Sequence, residues 1–383
     1  MLVLQHESRQ SERRSAETRD LYVAAREADG TWRKELVASR ITGLPRDAFI
    51  YRAARKTDPL TFSWHGDKET FCPPRWWDLA IGSGPCGFGC RACFLMLTFR
   101  AMRDPFRPVI YDNIDWIHGR VARWLASPKR KAFHSLGLGI DRSDSLLYEG
   151  VTGHARELIP MFADPARNPR RCLLVLLTKS ANVHYLDGLP SKGAPIAVTF
   201  SVNPEAVADL WEGKYPDTLE RISPPISERL RACKEAQEMG FETRLRLDPI
   251  LTPDGWQEMY ADFVATLRQM GLRPSRVTLG TYREKSSQLD TWREKWGLPP
   301  MEWEPRKMVR AGTHRHAAES SRVETYAAVA GMLHSALPTS LIAVCKETHG
   351  VRERLGLSNA CCNCLAANRG KRTGETHAEG ATE

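Results

Sequence analysis

Six short apolar runs, alternating with segments of helical period, fill residues 75 to 285 and leave this chain few folds to choose from. Trp77 to Gly82, Ala132 to Ile140, Cys172 to Thr178, Pro195 to Val202, Phe241 to Leu251 and Arg276 to Tyr282 all have strand length. Their near-continuous hydrophobicity suits parallel strands covered by helices, because a sheet with one wet face would alternate apolar and polar residues. Between the runs, Asn113 to Ala126 places Ile114, Ile117, Val121 and Leu125 at helical spacing, and Tyr148 to Phe162 and Trp256 to Met270 share that period. Ile226 to Met239 reads as a further helix closed by Gly240, the expected stop residue. The repetition predicts an α/β protein, an open (β/α)6 partial TIM barrel with N-terminal and C-terminal extensions. In such a fold chemistry gathers at the carboxyl ends of the strands.

The flanks carry weaker signals. Residues 1–20 and 367–383 are polar and are expected to be disordered, and residues 21–74 form an N-terminal segment of unassigned shape. Residues 75–285 form the barrel, 286–345 a C-terminal region and 346–366 a cysteine-rich segment. The sequence contains neither a long apolar run nor the apolar core of a signal peptide, which predicts a soluble cytoplasmic protein without a membrane partner. Ten cysteines in that compartment point to metal or redox work and away from disulfides. The charge of +9, from 55 basic and 46 acidic residues, permits nucleic-acid binding without requiring it.

Cys86, Cys90 and Cys93 stand in the run Cys86-Gly87-Phe88-Gly89-Cys90-Arg91-Ala92-Cys93-Phe94, directly after the first predicted strand. This C-x3-C-x2-C loop offers three thiolates, one fewer than a closed structural zinc site takes. A [4Fe–4S] cluster held this way keeps one iron without a protein ligand, and an open metal position is where chemistry becomes available. A zinc ion or unligated thiols are the alternatives.

The loop resembles the signature of the radical S-adenosylmethionine superfamily. Within that superfamily, residues 70 to 345 are most similar to the spore photoproduct lyase family. The likeness extends through Ser143-Asp144, Thr178-Lys179, Phe200-Ser201-Val202-Asn203-Pro204, Pro225-Ile226-Ser227-Glu228-Arg229-Leu230 and Asp248-Pro249-Ile250. It implies that a [4Fe–4S] cluster on Cys86, Cys90 and Cys93 chelates S-adenosylmethionine and cleaves it reductively to a 5′-deoxyadenosyl radical. That radical then abstracts hydrogen from a substrate. By the same resemblance Ser143, Asp144, Lys179 and Ser201 contact the cosubstrate, and Phe94 packs against its adenine side. Lys179 can neutralise a carboxylate, while Asp144 and the serines can bond an ammonium or hydroxyls. An external reductant of the flavodoxin or ferredoxin type is implied as a partner.

The resemblance breaks at hydrogen return. The family's donor cysteine and flanking tyrosines are replaced here by Asp141 or Ile140, Ala92 and Phe94, none of which can give a hydrogen atom as a thiol or phenol does. The expectation is a radical enzyme that is not an efficient dimer-repair lyase of the standard type. Residues 286–345 correspond to the lyase's substrate side, and Lys285 to Arg310 interleaves Trp292, Trp296 and Trp303 with basic residues, which favours a nucleic-acid substrate over a peptide or small molecule. Cys345, Cys362 and Cys364 are candidate ligands of an auxiliary iron–sulfur cluster or a zinc ion. Cys172 and Cys233 read as small core residues. The rival from another class is a nucleic-acid-binding protein with structural metal sites.

Overall fold

The computed structural model describes residues 18–26, 32–42, 49–62, 70–71, 76–83, 86–93, 108–131, 134–140, 143–215, 217–284, 291, 294, 301–303, 308–311 and 314–357. Its largest element is an eight-stranded sheet whose strands lie in unbroken chain order. These are β1 (Leu60–Phe62), β2 (Trp76–Leu79), β3 (Ser135–Leu138), β4 (Leu173–Thr178), β5 (Ile196–Ser201), β6 (Glu242–Ile250), β7 (Arg276–Thr281) and β8 (Leu341–Val344). All neighbours from β2 to β8 pair in parallel, and β1 adds an antiparallel edge beside β2. The six expected strands are β2 to β7, within a few residues at each end. The sheet does not close on itself.

Helices α1 (Ile114–Ala126), α2 (Glu149–Thr152), α3 (His154–Ala163), α4 (Glu205–Trp211), α5 (Ile226–Glu238), α6 (Trp256–Gln269), α7 (Glu319–Ala336) and α8 (His349–Arg354) complete the described elements used below. The expected single helix from Tyr148 to Phe162 is two. Gly153 adopts a left-handed conformation at φ 62°, which ends α2, and the Glu149 carboxylate accepts the Ala155 and Arg156 amides, both at 2.9 Å, to start α3.

One continuous core joins one sheet face to the helices. Leu174, Leu176, Val198, Phe200, Leu245, Leu247, Val277, Leu279, Ile342 and Val344 pack there with residues such as Val121, Leu158, Leu230, Tyr260 and Tyr326. Because side chains alternate along a strand, the residues between these face the other way. Leu173, Val175 and Ala197 form a small apolar cluster on that inner face. Nearer the carboxyl ends the inner face turns polar, with Ser201, Arg246 and Asp248.

Three strands of the N-terminal segment begin a second sheet of five strands. Thr18–Arg26 pairs antiparallel with Trp32–Thr42 and parallel with Phe49–Ala53, which continues through Val109–Tyr111 to Gly82–Ser83. Residues 18–20 therefore belong to a strand and not to the expected disordered terminus. No helix among the described residues is long and apolar enough to cross a membrane.

Candidate active site

Each parallel strand delivers a polar or sulfur-bearing group at its carboxyl end: the cysteine loop after β2, Ser143 and Asp144 after β3, Lys179 after β4, Ser201 on β5, Asp248 on β6, Arg283 after β7 and Cys345 after β8. Cys86, Cys90 and Cys93 are all half-buried. The Cys93 amide donates to the Cys90 carbonyl at 3.1 Å, which turns the chain between them.

The loop is clamped to the segment after α4. The Arg91 amide donates to the Trp211 carbonyl at 2.8 Å, and its guanidinium donates to the carbonyls of Asp209 at 2.7 Å and Glu212 at 3.3 Å and to Glu302 Oε1 at 3.0 Å. Gly213 permits the contact, because a methyl group at that position would overlap the Phe88 carbonyl oxygen. Phe88 is buried beneath the loop with Ile50 and Ile110 of the N-terminal sheet, so that sheet walls one side of the site.

Burial raises the Cys86 thiol well above its ordinary pKa, and Cys90, Asp144 and Cys93 push it further. Cys90 is raised by burial too, with Lys179 and Arg229 partly offsetting the effect. A thiol such as Cys86, whose ionisation is opposed by burial and by the neighbouring sulfurs, belongs to a donor set whose charge a metal cation would balance. In their present positions no three Cys, His, Asp or Glu side chains among the described residues are gathered closely enough to ligate a metal. The donor chemistry and the single short loop fit a three-thiolate cluster.

Asp144 is occupied within the protein. Its Oδ1 accepts the Leu146 and Leu147 amides, both at 3.1 Å, and the Thr178 hydroxyl at 2.7 Å, while Oδ2 accepts the Lys179 amide at 2.7 Å. It ties the turn after β3 to the end of β4. Lys179 Nζ donates to Ser201 Oγ at 3.1 Å and lies 4.7 Å from the centre of the Trp211 ring, so a cation is held at the strand ends. Ser143 is half-buried beside these groups in sequence. Phe94 lies outside the described residues.

Behind Lys179 stands a buried ion pair that the sequence did not single out. Arg229 Nη1 donates to Glu212 Oε1 at 2.9 Å and to the Ser201 carbonyl at 3.0 Å, and its Nη2 bonds Glu212 Oε2 and Ser223 Oγ. Burial alone would raise the Glu212 pKa, yet Arg229, Lys179 and Arg221 outweigh it and bring it from 4.5 to about 2. A second group fills the far side of the inner face. Arg246 Nη2 donates to Asp248 Oδ2 at 2.7 Å, and Arg283 donates to Asp248 Oδ1 at 2.9 Å and Oδ2 at 3.0 Å. Charged residues at alternate positions, Glu242, Arg244, Arg246 and Asp248, along one strand were the available signal for it.

Cys345 belongs to this group. Its sulfur lies 3.5 Å from Arg246 Nη2 and 3.8 Å from Arg283 Nη2, and the residue is buried. Two guanidinium groups are the company of an electron-rich acceptor rather than of a metal cation. Its expected co-ligands Cys362 and Cys364 lie outside the described residues, as do Asp141, Trp292 and Trp296. Cys172 and Cys233 are core residues as expected, both fully buried. Trp303 of the expected base-stacking segment meets the Tyr282 ring edge-on at 5.7 Å. Arg130 is buried with its guanidinium over the rings of Trp77 at 4.7 Å and Trp124 at 5.0 Å.

Open parallel strands with a cysteine loop after the first long one define the partial-barrel class of α/β protein. Within that class the fold is that of spore photoproduct lyase. A variant of that enzyme with bound AdoMet and dinucleoside spore photoproduct aligns at a TM-score of 0.61 with 16% identity, over 79% of this chain and 83% of the other. A second variant gives 0.60 with 17% identity over 79% and 83%. The lyase complexed with dinucleoside spore photoproduct gives 0.58 with 17% identity over 78% and 82%. No family model and no curated protein matches the sequence.

Proposed function

We propose that this chain is a radical S-adenosylmethionine enzyme of the cytoplasm that carries a [4Fe–4S] cluster on Cys86, Cys90 and Cys93 and acts on a nucleic acid. The reading is carried by one observation: three thiols on a loop at the carboxyl edge of a parallel sheet, flanked at the next strand ends by a cation and hydroxyls. Likeness of fold to spore photoproduct lyase supports it. When bound, the cluster and S-adenosylmethionine supply one-electron cleavage of the sulfonium and a carbon-centred radical able to take hydrogen from a substrate.

The chain's own residues do the rest. Lys179, held by Ser201 and the Trp211 face, would meet the cosubstrate carboxylate as a point charge. Ser143 and the Ser201 hydroxyl offer donors and acceptors to ammonium or ribose groups. Asp144 positions the β3 and β4 ends relative to each other, and Arg91 fixes the cysteine loop on Trp211 and Glu212. Phe88, Ile50 and Ile110 keep water from the back of the loop. Arg246 and Arg283 place positive charge on the inner face, where a phosphate-bearing substrate would lie.

Anaerobic reconstitution with ferrous iron and sulfide tests the reading. A brown protein is expected, with a low-temperature paramagnetic signal that changes when S-adenosylmethionine is added and with 5′-deoxyadenosine released under reduction. A colourless zinc protein that leaves the nucleoside intact would overturn it. Offering a dinucleoside spore photoproduct tests the finer claim, and rapid repair to thymines would refute the expectation drawn from Ala92, Phe94 and Asp141.

A further inference from the structure

Tyr148 is 6% exposed and packs with Phe88, Leu147, Ile50 and Ile110 in a small cluster against which Cys86 and Cys90 also rest. Its hydroxyl stands over the cysteine loop, because a methyl group on Gly87 would lie 2.6 Å from the phenol oxygen. Gly87 has φ +90°, so both its backbone and its missing side chain make room for that oxygen. A turn with little freedom holds the ring there. Asp144 Oδ1 accepts the amides of Leu146 and Leu147, Asn182 Nδ2 donates to the Leu146 carbonyl at 3.2 Å, and Thr152 Oγ1 donates to the Tyr148 carbonyl at 3.1 Å.

The phenol brings one polar proton into apolar packing, and of the two loop sulfurs against that cluster Cys86 adjoins Gly87, over which the phenol oxygen stands, and is the one whose charge acts on the Tyr148 hydroxyl. We propose that the Tyr148 hydroxyl donates a hydrogen bond to the Cys86 sulfur when that sulfur is a cluster ligand, and so raises the cluster's reduction potential. The inference rests on the cluster reading above. A donor to a ligand sulfur withdraws charge from the metal and favours the more reduced state, and in water-poor surroundings the effect is stronger than at a wet surface. Tyr148 acts through Cys86, so it is a positioning residue. No bond of the substrate is made or broken by it.

The experiment uses the full chain reconstituted anaerobically with ferrous iron and sulfide. Proton ENDOR of the reduced wild-type cluster is expected to show a coupling that disappears in D2O and in Tyr148→Phe. The Phe variant is expected to hold wild-type iron and sulfide at a more negative midpoint potential. Should the Phe ring disturb loading, 3-fluorotyrosine at position 148 keeps the shape and makes the proton more acidic, and its potential is expected to move positive. The Phe88 and Gly213 amides also donate to the Cys86 and Cys90 sulfurs and keep their exchangeable couplings in every variant, so an unmoved potential in the fluorinated protein, or a set of exchangeable couplings in Tyr148→Phe identical to the wild type's, overturns the assignment. Failure of the wild-type chain to take up iron and sulfide would overturn the cluster reading itself, which separates the two failures.

Discussion

Replacing Glu212 by Gln removes the charge that balances Arg229 without removing the side chain. Both partners are essentially out of solvent, at 1% and 0% side-chain exposure, and Arg229 also bonds the Ser201 carbonyl and Ser223. Two routes give the size of the effect. Removing one partner of a buried, hydrogen-bonded pair costs about 3–5 kcal/mol, because the remaining charge is left uncompensated. Independently, burial works against ionisation of Glu212, but Arg229, Lys179 and Arg221 bring its pKa from 4.5 to about 2, a drop worth about 3 kcal/mol at about 1.4 kcal/mol per unit. The sign follows from the depressed folded value. The contribution is complete above the unfolded pKa of about 4.5 and is lost as pH falls toward about 2. Urea unfolding at neutral pH is therefore expected to show Glu212→Gln less stable by about 3 kcal/mol, with the gap closing in acid. A loss below about 1 kcal/mol at neutral pH, or a gap that widens in acid, would refute the argument.

Three further outcomes follow from the geometry. Gly213→Ala sets a methyl group against the Phe88 carbonyl, which is backbone and cannot swing aside, so thermal unfolding should show a loss of about 1–3 kcal/mol; unchanged stability would contradict the contact. Glu149 behaves oppositely to Glu212: burial raises its pKa from 4.5 to about 7, partly offset by the Ala155 and Arg156 amides. The folded chain thus binds that proton more tightly, stability falls as pH rises from about 4.5 to about 7, and Glu149→Gln should flatten that part of the stability–pH curve. Lys179→Met removes the cation at the strand ends and should weaken S-adenosylmethionine binding by about tenfold or more, read by equilibrium dialysis, since a charge-assisted bond contributes about 1.5–3 kcal/mol; an unchanged affinity would exclude its assigned role.

How far the sequence carries the fold depends on where each element finds its partners. Runs such as Leu173–Thr178 and Ile196–Ser201 are buried on both faces, so their continuous apolar character identifies them before any neighbour is known. The N-terminal sheet gave no such signal. Thr18–Arg26 holds charged residues at Arg19, Asp20 and Arg26, and its order comes from pairing with Phe49–Ala53 and, through it, with Val109–Tyr111. The site divides along the same line. Ser143, Lys179 and Ser201 follow recognisable strands and could be placed at strand ends. Gly213 against Phe88, Arg229 on Glu212 and Tyr148 over Gly87 are meetings of distant loops, where sequence spacing carries no distance.

The inner face then explains why so many charges are buried at one end of this sheet. Asp248 is sunk among Arg246 and Arg283; burial opposes its ionisation, yet the two guanidinium groups hold its pKa well below the ordinary carboxylate value. It remains an anion at any working pH and spreads one negative charge over two cations, which leaves a net positive group facing Cys345. On the other side Lys179 stands free of a carboxylate bond among those described, bonded to a hydroxyl and an aromatic face. The two halves of the face thus differ in kind. Lys179 can accept a carboxylate from a ligand with little rearrangement, whereas Arg246 and Arg283 are locked by Asp248 and present fixed positive field. Under the proposed function, a small zwitterionic cosubstrate would meet the first half and a larger anionic substrate the second.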